Sequence, residues 1–169
     1  MSQFYLHIFQ KVFLLLVLSL LWIAPVQSKE EVAFNTTNGV IYLSDLKGQV
    51  VYVDFWASWC KPCRKSFPWM NTLQKRLAHK GLKIIAINVD KDRALVDQFL
   101  KSYPADFTVA YDPEGQLASK FKVKGMPSSF IFDRNGNLTT SHIGFRKKDI
   151  EKLESFIETA LSQKTKGLQ

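Results

Sequence analysis

The feature that most constrains this chain is Trp59-Cys60-Lys61-Pro62-Cys63, which follows a β-rich run, Val50 to Trp56, and opens a helical pattern. Cys60 and Cys63 are the only two cysteines in 169 residues. A scaffold stapled by disulfides would show several spaced pairs, and one tight pair closes too short a loop to stabilise a fold. A reactive pair is therefore expected. A cysteine at a helix start meets free N–H groups and the positive end of the helix dipole, both of which favour its thiolate. Cys63, one turn further on, is expected inside the helix and shielded. Pro62 suits the first turn, where its missing N–H costs nothing. Half a zinc site is the competing reading, but no second cysteine pair or nearby histidine completes it.

The rest of the chain reads as strands alternating with helices. Glu31–Phe34 and Val40–Leu43 flank Asn38-Gly39 as a β-hairpin. After the strand at Val50–Trp56, a helix runs from Lys61, with Phe67, Met70, Leu73 and Leu77 at helical spacing and Gly81 ending it. Leu82–Val89 is a buried-strand run, Asp92–Ser102 a helix, Phe107–Tyr111 a short strand, and Asp112–Gly115 a turn into a short helix ending at Phe121. Ser129–Phe132 and Leu138–Ile143 form a second hairpin, and Arg146–Leu161 a closing amphipathic helix. This order predicts an α/β fold with a mixed central sheet covered by helices on both faces.

Residues 1–28 stand apart. Lys11 precedes an apolar run from Val12 to Ala24, and Pro25-Val26-Gln27-Ser28 follows, as in a secretory signal peptide cleaved after Ser28. The alternative is an uncleaved anchor, although the apolar run is shorter than the ~20 residues of a spanning helix. The folded domain is then 29–165, with 166–169 a frayed tail. The chain carries a formal net charge of +8, but its lysines are scattered, so a solvated surface is expected and no nucleic-acid partner.

Asp54-Phe55-Trp56-Ala57-Ser58-Trp59-Cys60-Lys61-Pro62-Cys63 resembles the active-site stretch of thioredoxins. With the leader and the long segment between Val89 and Gly125, the chain most resembles the exported TlpA/ResA-like branch, over essentially the whole mature length. Pro68 stands where that family has its helix-kinking proline, Gly125-Met126-Pro127 where it has its cis-proline, and Gly144 where it has a glycine of the last strand. Three positions depart from the pattern. Ser66 replaces the branch's glutamate, Ala86 stands where cytosolic thioredoxins carry a buried lysine, and Asp54 is thioredoxin-like where many exported relatives are not.

The resemblance implies a thioredoxin fold with an N-terminal β-hairpin and a β-α-β insert before the cis-proline. It implies a monomeric, periplasmic or otherwise extracytoplasmic thiol:disulfide oxidoreductase without cofactor or metal. Cys60 would attack protein disulfides and Cys63 resolve the mixed disulfide. Asp54, within an apolar run, would have a raised pKa and move the Cys63 proton. Trp59, Met126 and Pro127 would contact the target. Electrons would come from a membrane thiol carrier, and c-type cytochrome maturation is among the branch's roles. Alternatives are a dithiol oxidase, towards which Lys61 would tilt the site, and a copper-delivery module using Cys60, Cys63 and His142. His79 is expected to be a solvated helix-end residue, and His142 structural rather than a ligand.

Overall fold

The computed structural model describes residues 31–163, so the leader and the frayed tail expected from sequence lie outside the described residues. Eleven principal elements follow in order: β1 (Ala33–Thr36), β2 (Gly39–Tyr42), β3 (Val50–Trp56), α1 (Cys63–Leu77), β4 (Leu82–Asn88), α2 (Arg93–Ser102), β5 (Thr108–Tyr111), α3 (Gln116–Lys120), β6 (Ser128–Phe132), β7 (Leu138–Ile143) and α4 (Ile150–Ser162). The strands form one mixed seven-stranded sheet in the order β2-β1-β5-β4-β3-β6-β7. β3, β4 and β5 run parallel; β6 and β7 add antiparallel on one side, and the β1–β2 hairpin joins the other side through Thr36 opposite Ala110. This is the thioredoxin fold.

The central strand explains the two-sided core. All seven residues of β3 are buried, and successive side chains point to opposite faces. Val51, Val53 and Phe55 pack with Ile85, Ile87, Phe130 and Phe132 on one face. Val50, Tyr52 and Trp56 pack on the other against Phe67, Met70 and Leu73 of α1 and Ile157 of α4. Trp56, Phe67 and Phe99 form a closed aromatic triangle, with ring centroids 4.6 to 4.9 Å apart. Losing a ring such as Phe67 costs about 3–5 kcal/mol, whereas an exposed pair such as Arg76–Glu154 contributes about 1 kcal/mol or less. Packing, not surface charge, holds α1 in place.

That matters because α1 carries Pro68 in its interior, which deprives the Arg64 carbonyl of its helical donor. The helix then runs through a 3-10 turn at Ala78–Lys80 and stops at Gly81, whose φ of 90° lies in the left-handed region. The start of α1 differs from expectation. The helix begins at Cys63, with Lys61 and Pro62 in the preceding turn. Pro62 disfavours helical geometry at Lys61, so the helix does not extend back through it.

Candidate redox site

The C-terminal end of β3 delivers the chain into a tight turn. The Cys60 N–H donates to the Ala57 carbonyl at 3.0 Å, and the Cys63 N–H donates to the Cys60 carbonyl at 3.2 Å. The Cys63 N–H also points at Cys60 Sγ, 3.2 Å away. Cys60 therefore precedes the helix by three residues, yet the helix's first N–H is aimed at its sulfur. Cys60 and Cys63 are joined in a disulfide. Cys60 is 2% exposed and Cys63 fully buried, so both sulfurs are covered in this oxidised form, Cys63 the more completely. Trp59 beside them is 65% exposed.

Asp54 is 1% exposed. It shares the face of β3 that carries Tyr52 and Trp56, the face covered by α1 and by Cys63. Its neighbours across the sheet are Ala86 on β4 and Ser129 on β6. Burial holds its carboxyl well above the usual carboxylate range, and the nearby Tyr52 hydroxyl offsets only part of that. Burial raises the Tyr52 phenol too, and a charge on Asp54 would raise it further. Asp54 Oδ2 and the Tyr52 hydroxyl have no hydrogen-bond partner among the described residues. Ser66, where the branch has glutamate, is buried and donates its hydroxyl to the Cys63 carbonyl at 3.1 Å.

The Met126–Pro127 peptide is cis. Met126 packs against the buried cluster that contains Cys60 and Cys63. Two bonds tie this loop down: the Ser128 hydroxyl donates to the Gly125 carbonyl at 2.7 Å, and the Gly144 N–H donates to the Pro127 carbonyl at 2.8 Å. Among the expected site residues, Cys60, Cys63 and Met126 thus meet at one cluster, with Asp54 on the same face of the sheet. His142 does not join them. It lies on β7, with its Nε2 3.6 Å from Asp149 Oδ2, and no group of three His, Cys, Asp or Glu side chains among the described residues is arranged to hold a metal ion.

Sequence reading missed the polar clamp behind the turn. Asp90 Oδ2 accepts from the Ser58 N–H at 2.7 Å and Oδ1 from the Ser58 hydroxyl at 3.0 Å. The Asn88 side chain donates to Asp90 Oδ2 at 2.8 Å and accepts from the Asp90 N–H at 2.9 Å. The available signal was Asn88-Val89-Asp90 at the C-terminal end of a buried parallel strand, where loops build sites in open α/β sheets.

A thioredoxin fold with a disulfide-forming cysteine pair at the end of its central strand defines a dithiol–disulfide exchange protein. The chain matches the Redoxin family over residues 24–158. It is 38% identical over 118 residues to a thiol-disulfide oxidoreductase ResA of Bacillus cereus, covering 70% of this chain and 67% of that one. A crystal structure from Chlorobium tepidum, described as a candidate thiol:disulfide interchange protein DsbE, superposes with a TM-score of 0.75 at 50% identity, covering 78% of this chain and 94% of that one. The exposed lipoprotein thioredoxin of Streptococcus pneumoniae superposes with a TM-score of 0.64 at 28% identity, covering 76% and 98%. This chain belongs to the redoxin family and is a thiol-disulfide oxidoreductase related to the ResA and DsbE proteins.

Proposed function

We propose that this protein works outside the cytoplasm as a protein-disulfide reductase, with Cys60 the attacking and Cys63 the resolving sulfur. The observation that carries the assignment is the Cys63 N–H aimed at Cys60 Sγ. A donor directed at Sγ stabilises a thiolate on Cys60, and Cys63, inside the helix, has no such donor on its own sulfur among the described residues.

In the reduced enzyme the Cys60 thiolate attacks one sulfur of a target disulfide. The target S–S bond breaks, and the other target sulfur leaves as a thiolate that takes a proton from water. Cys63 gives its proton to Asp54 and attacks Cys60 Sγ, which releases the target's second sulfur. The target has then gained two electrons, and the enzyme holds the Cys60–Cys63 disulfide. The raised pKa of Asp54 makes it a stronger base than a free carboxylate, which suits it to accept a thiol proton. Exposed Trp59 and the Met126–Pro127 loop would contact the target chain.

A membrane thiol carrier would return the enzyme to its dithiol form, and c-type cytochrome maturation is the role we assign among those open to such a reductase. The extracytoplasmic setting is supported by the apolar run Val12–Ala24 and by the pneumococcal relative being an exposed lipoprotein. Among the described residues, no helix is long and apolar enough to cross a membrane.

The test is reduction of insulin disulfides and trapping of intermediates. Cys60→Ser abolishes reduction, and Cys63→Ser accumulates mixed disulfides through Cys60. Equal trapping by both variants would overturn the assignment of roles.

A further inference from the structure

Beside the disulfide lies an open groove of about 500 Å³, between the start of α1 and the face of α2, with Trp59 as its outer wall. Its floor and sides are apolar, from Trp59, Leu95, Phe99 and Tyr103, and its polar groups include Arg64 and Gln98. Leu95 is 44% exposed and Trp59 65%, and with Phe99 and Tyr103 they line one apolar surface rather than standing singly. The volume falls within the range of about 300–1,000 Å³ typical of sites that take a ligand group. No carboxylate lines the groove. The first turn of α1 holds no acid either, although acids are favoured there, and instead Lys61, Arg64 and Lys65 stand exposed around Cys63. The wall of the groove is held in shape by the two hydrogen bonds that Ser58 donates to Asp90.

We infer that this groove binds the stretch of the target protein next to its reactive cysteine, and that it selects an aromatic or large aliphatic side chain flanked by an acidic one. The apolar side chain lies between Trp59, Leu95 and Tyr103, and the carboxylate meets Arg64. The inference rests on the reductase reading above and adds a target class to it. Apolar contact supplies most of the affinity, and the cation supplies steering and sign discrimination, which salt weakens.

The experiment compares four disulfides as substrates of the reduced protein. Three are cyclic disulfide peptides that differ only in the two residues flanking one cysteine: Glu-Phe, Lys-Phe or Glu-Ser. The fourth is hydroxyethyl disulfide, small and uncharged. Each peptide's kcat/KM is divided by the hydroxyethyl disulfide value, so that changes in Cys60 reactivity cancel. The Glu-Phe peptide is expected to exceed the Glu-Ser peptide by about tenfold, and the Lys-Phe peptide by about threefold to tenfold at low salt. Leu95→Asp removes the preference for Phe, and Arg64→Glu reverses the order of the Glu-Phe and Lys-Phe peptides. Equal normalised rates for all three peptides, or a preference for Phe that survives Leu95→Asp, would overturn the groove. A protein that reduces none of the four overturns the reductase reading itself, and the groove with it.

Discussion

Ser58 donates both its backbone N–H and its hydroxyl to the carboxylate of Asp90, at 2.7 and 3.0 Å, and so fastens the turn before Cys60 to the end of β4. The partners are 32 residues apart in sequence and neighbours only because β3 and β4 run parallel. The carboxylate, with Asn88 as a third donor, fixes where Trp59 and Cys60 stand.

Asp90→Ala is expected to lower stability by about 1–3 kcal/mol, because it strands three part-buried donors, two on Ser58 and one on Asn88. It should also slow insulin reduction, since the turn that presents Cys60 loses its fastening. Asp90→Asn keeps one acceptor and should fall between. Urea melts and initial rates on the three proteins check this. A stability loss with an unchanged rate per folded molecule would show that the turn holds its shape without the clamp.

Arg134 ties together three segments that share no element. Its Nη1 donates to the Gly48 carbonyl at 2.6 Å, and its Nη2 to the carbonyls of Lys80 and Leu161 at 2.9 and 3.1 Å. A Cβ at Gly81 would lie 2.8 Å from Arg134 Nη1, on a residue whose φ already favours glycine. Arg134→Ala and Gly81→Ala should each cost about 1–3 kcal/mol. The two penalties should not add, because removing the guanidinium also removes the clash. A double-variant cycle by denaturant melts reads the coupling, and strict additivity would mean the guanidinium moves aside freely.

The leader makes a separate expectation. If the apolar run Val12–Ala24 and the Val26-Gln27-Ser28 junction act as a cleaved leader, the mature N-terminus lies near Lys29. N-terminal sequencing of the protein from its native cell envelope checks it. Met1 retained in a carbonate-resistant membrane fraction would establish an anchor instead.

Much of the fold was legible because it is written in local pattern. The Asn38-Gly39 hairpin, the seven-residue run of β3 and the spacing of Phe67, Met70, Leu73 and Leu77 each report a period that one element satisfies. The pair Cys60–Cys63 was legible from cysteine count and spacing, and the cis-proline through resemblance alone. The start of α1 was misplaced because the pattern cannot show that Pro62 bars Lys61 from the helix. What stayed hidden was long-range and polar. Asp90 with Ser58, and Arg134 with Gly48, Lys80 and Leu161, are ordinary loop residues until the sheet brings them together. The groove beside Trp59 was hidden for the same reason, since Leu95 reads in sequence as one more apolar residue of an amphipathic helix.

Asp54 stands directly opposite Ala86 in the β3–β4 pair, so no cation sits at the position where cytosolic thioredoxins place a lysine. The carboxylate is buried and its Oδ2 has no hydrogen-bond partner among the described residues, which makes its charged form costly. Its folded-state pKa is raised well above that of a free aspartate, with burial the first cause. A raised pKa means that the folded protein holds this proton more tightly than the unfolded chain does. Below the unfolded value of ~3.9 both states are protonated and ionisation of Asp54 brings no penalty. As pH climbs from there through the folded pKa, the unfolded state gains by ionising first and stability is lost. Asp54→Asn carries no such ionisation, so its melting temperature should exceed that of the native protein by a margin that widens with pH and levels off above the folded pKa. In the proposed mechanism the same substitution removes the acceptor for the Cys63 proton. Resolution of a mixed disulfide trapped on Cys60 should then slow, by about 10²–10⁴-fold if proton transfer limits the step. Thermal melts across pH and single-turnover resolution, on both proteins, supply the paired measurement. An Asp54→Asn protein that melts lower and resolves at the native rate would remove Asp54 from proton transfer and leave it a structural residue.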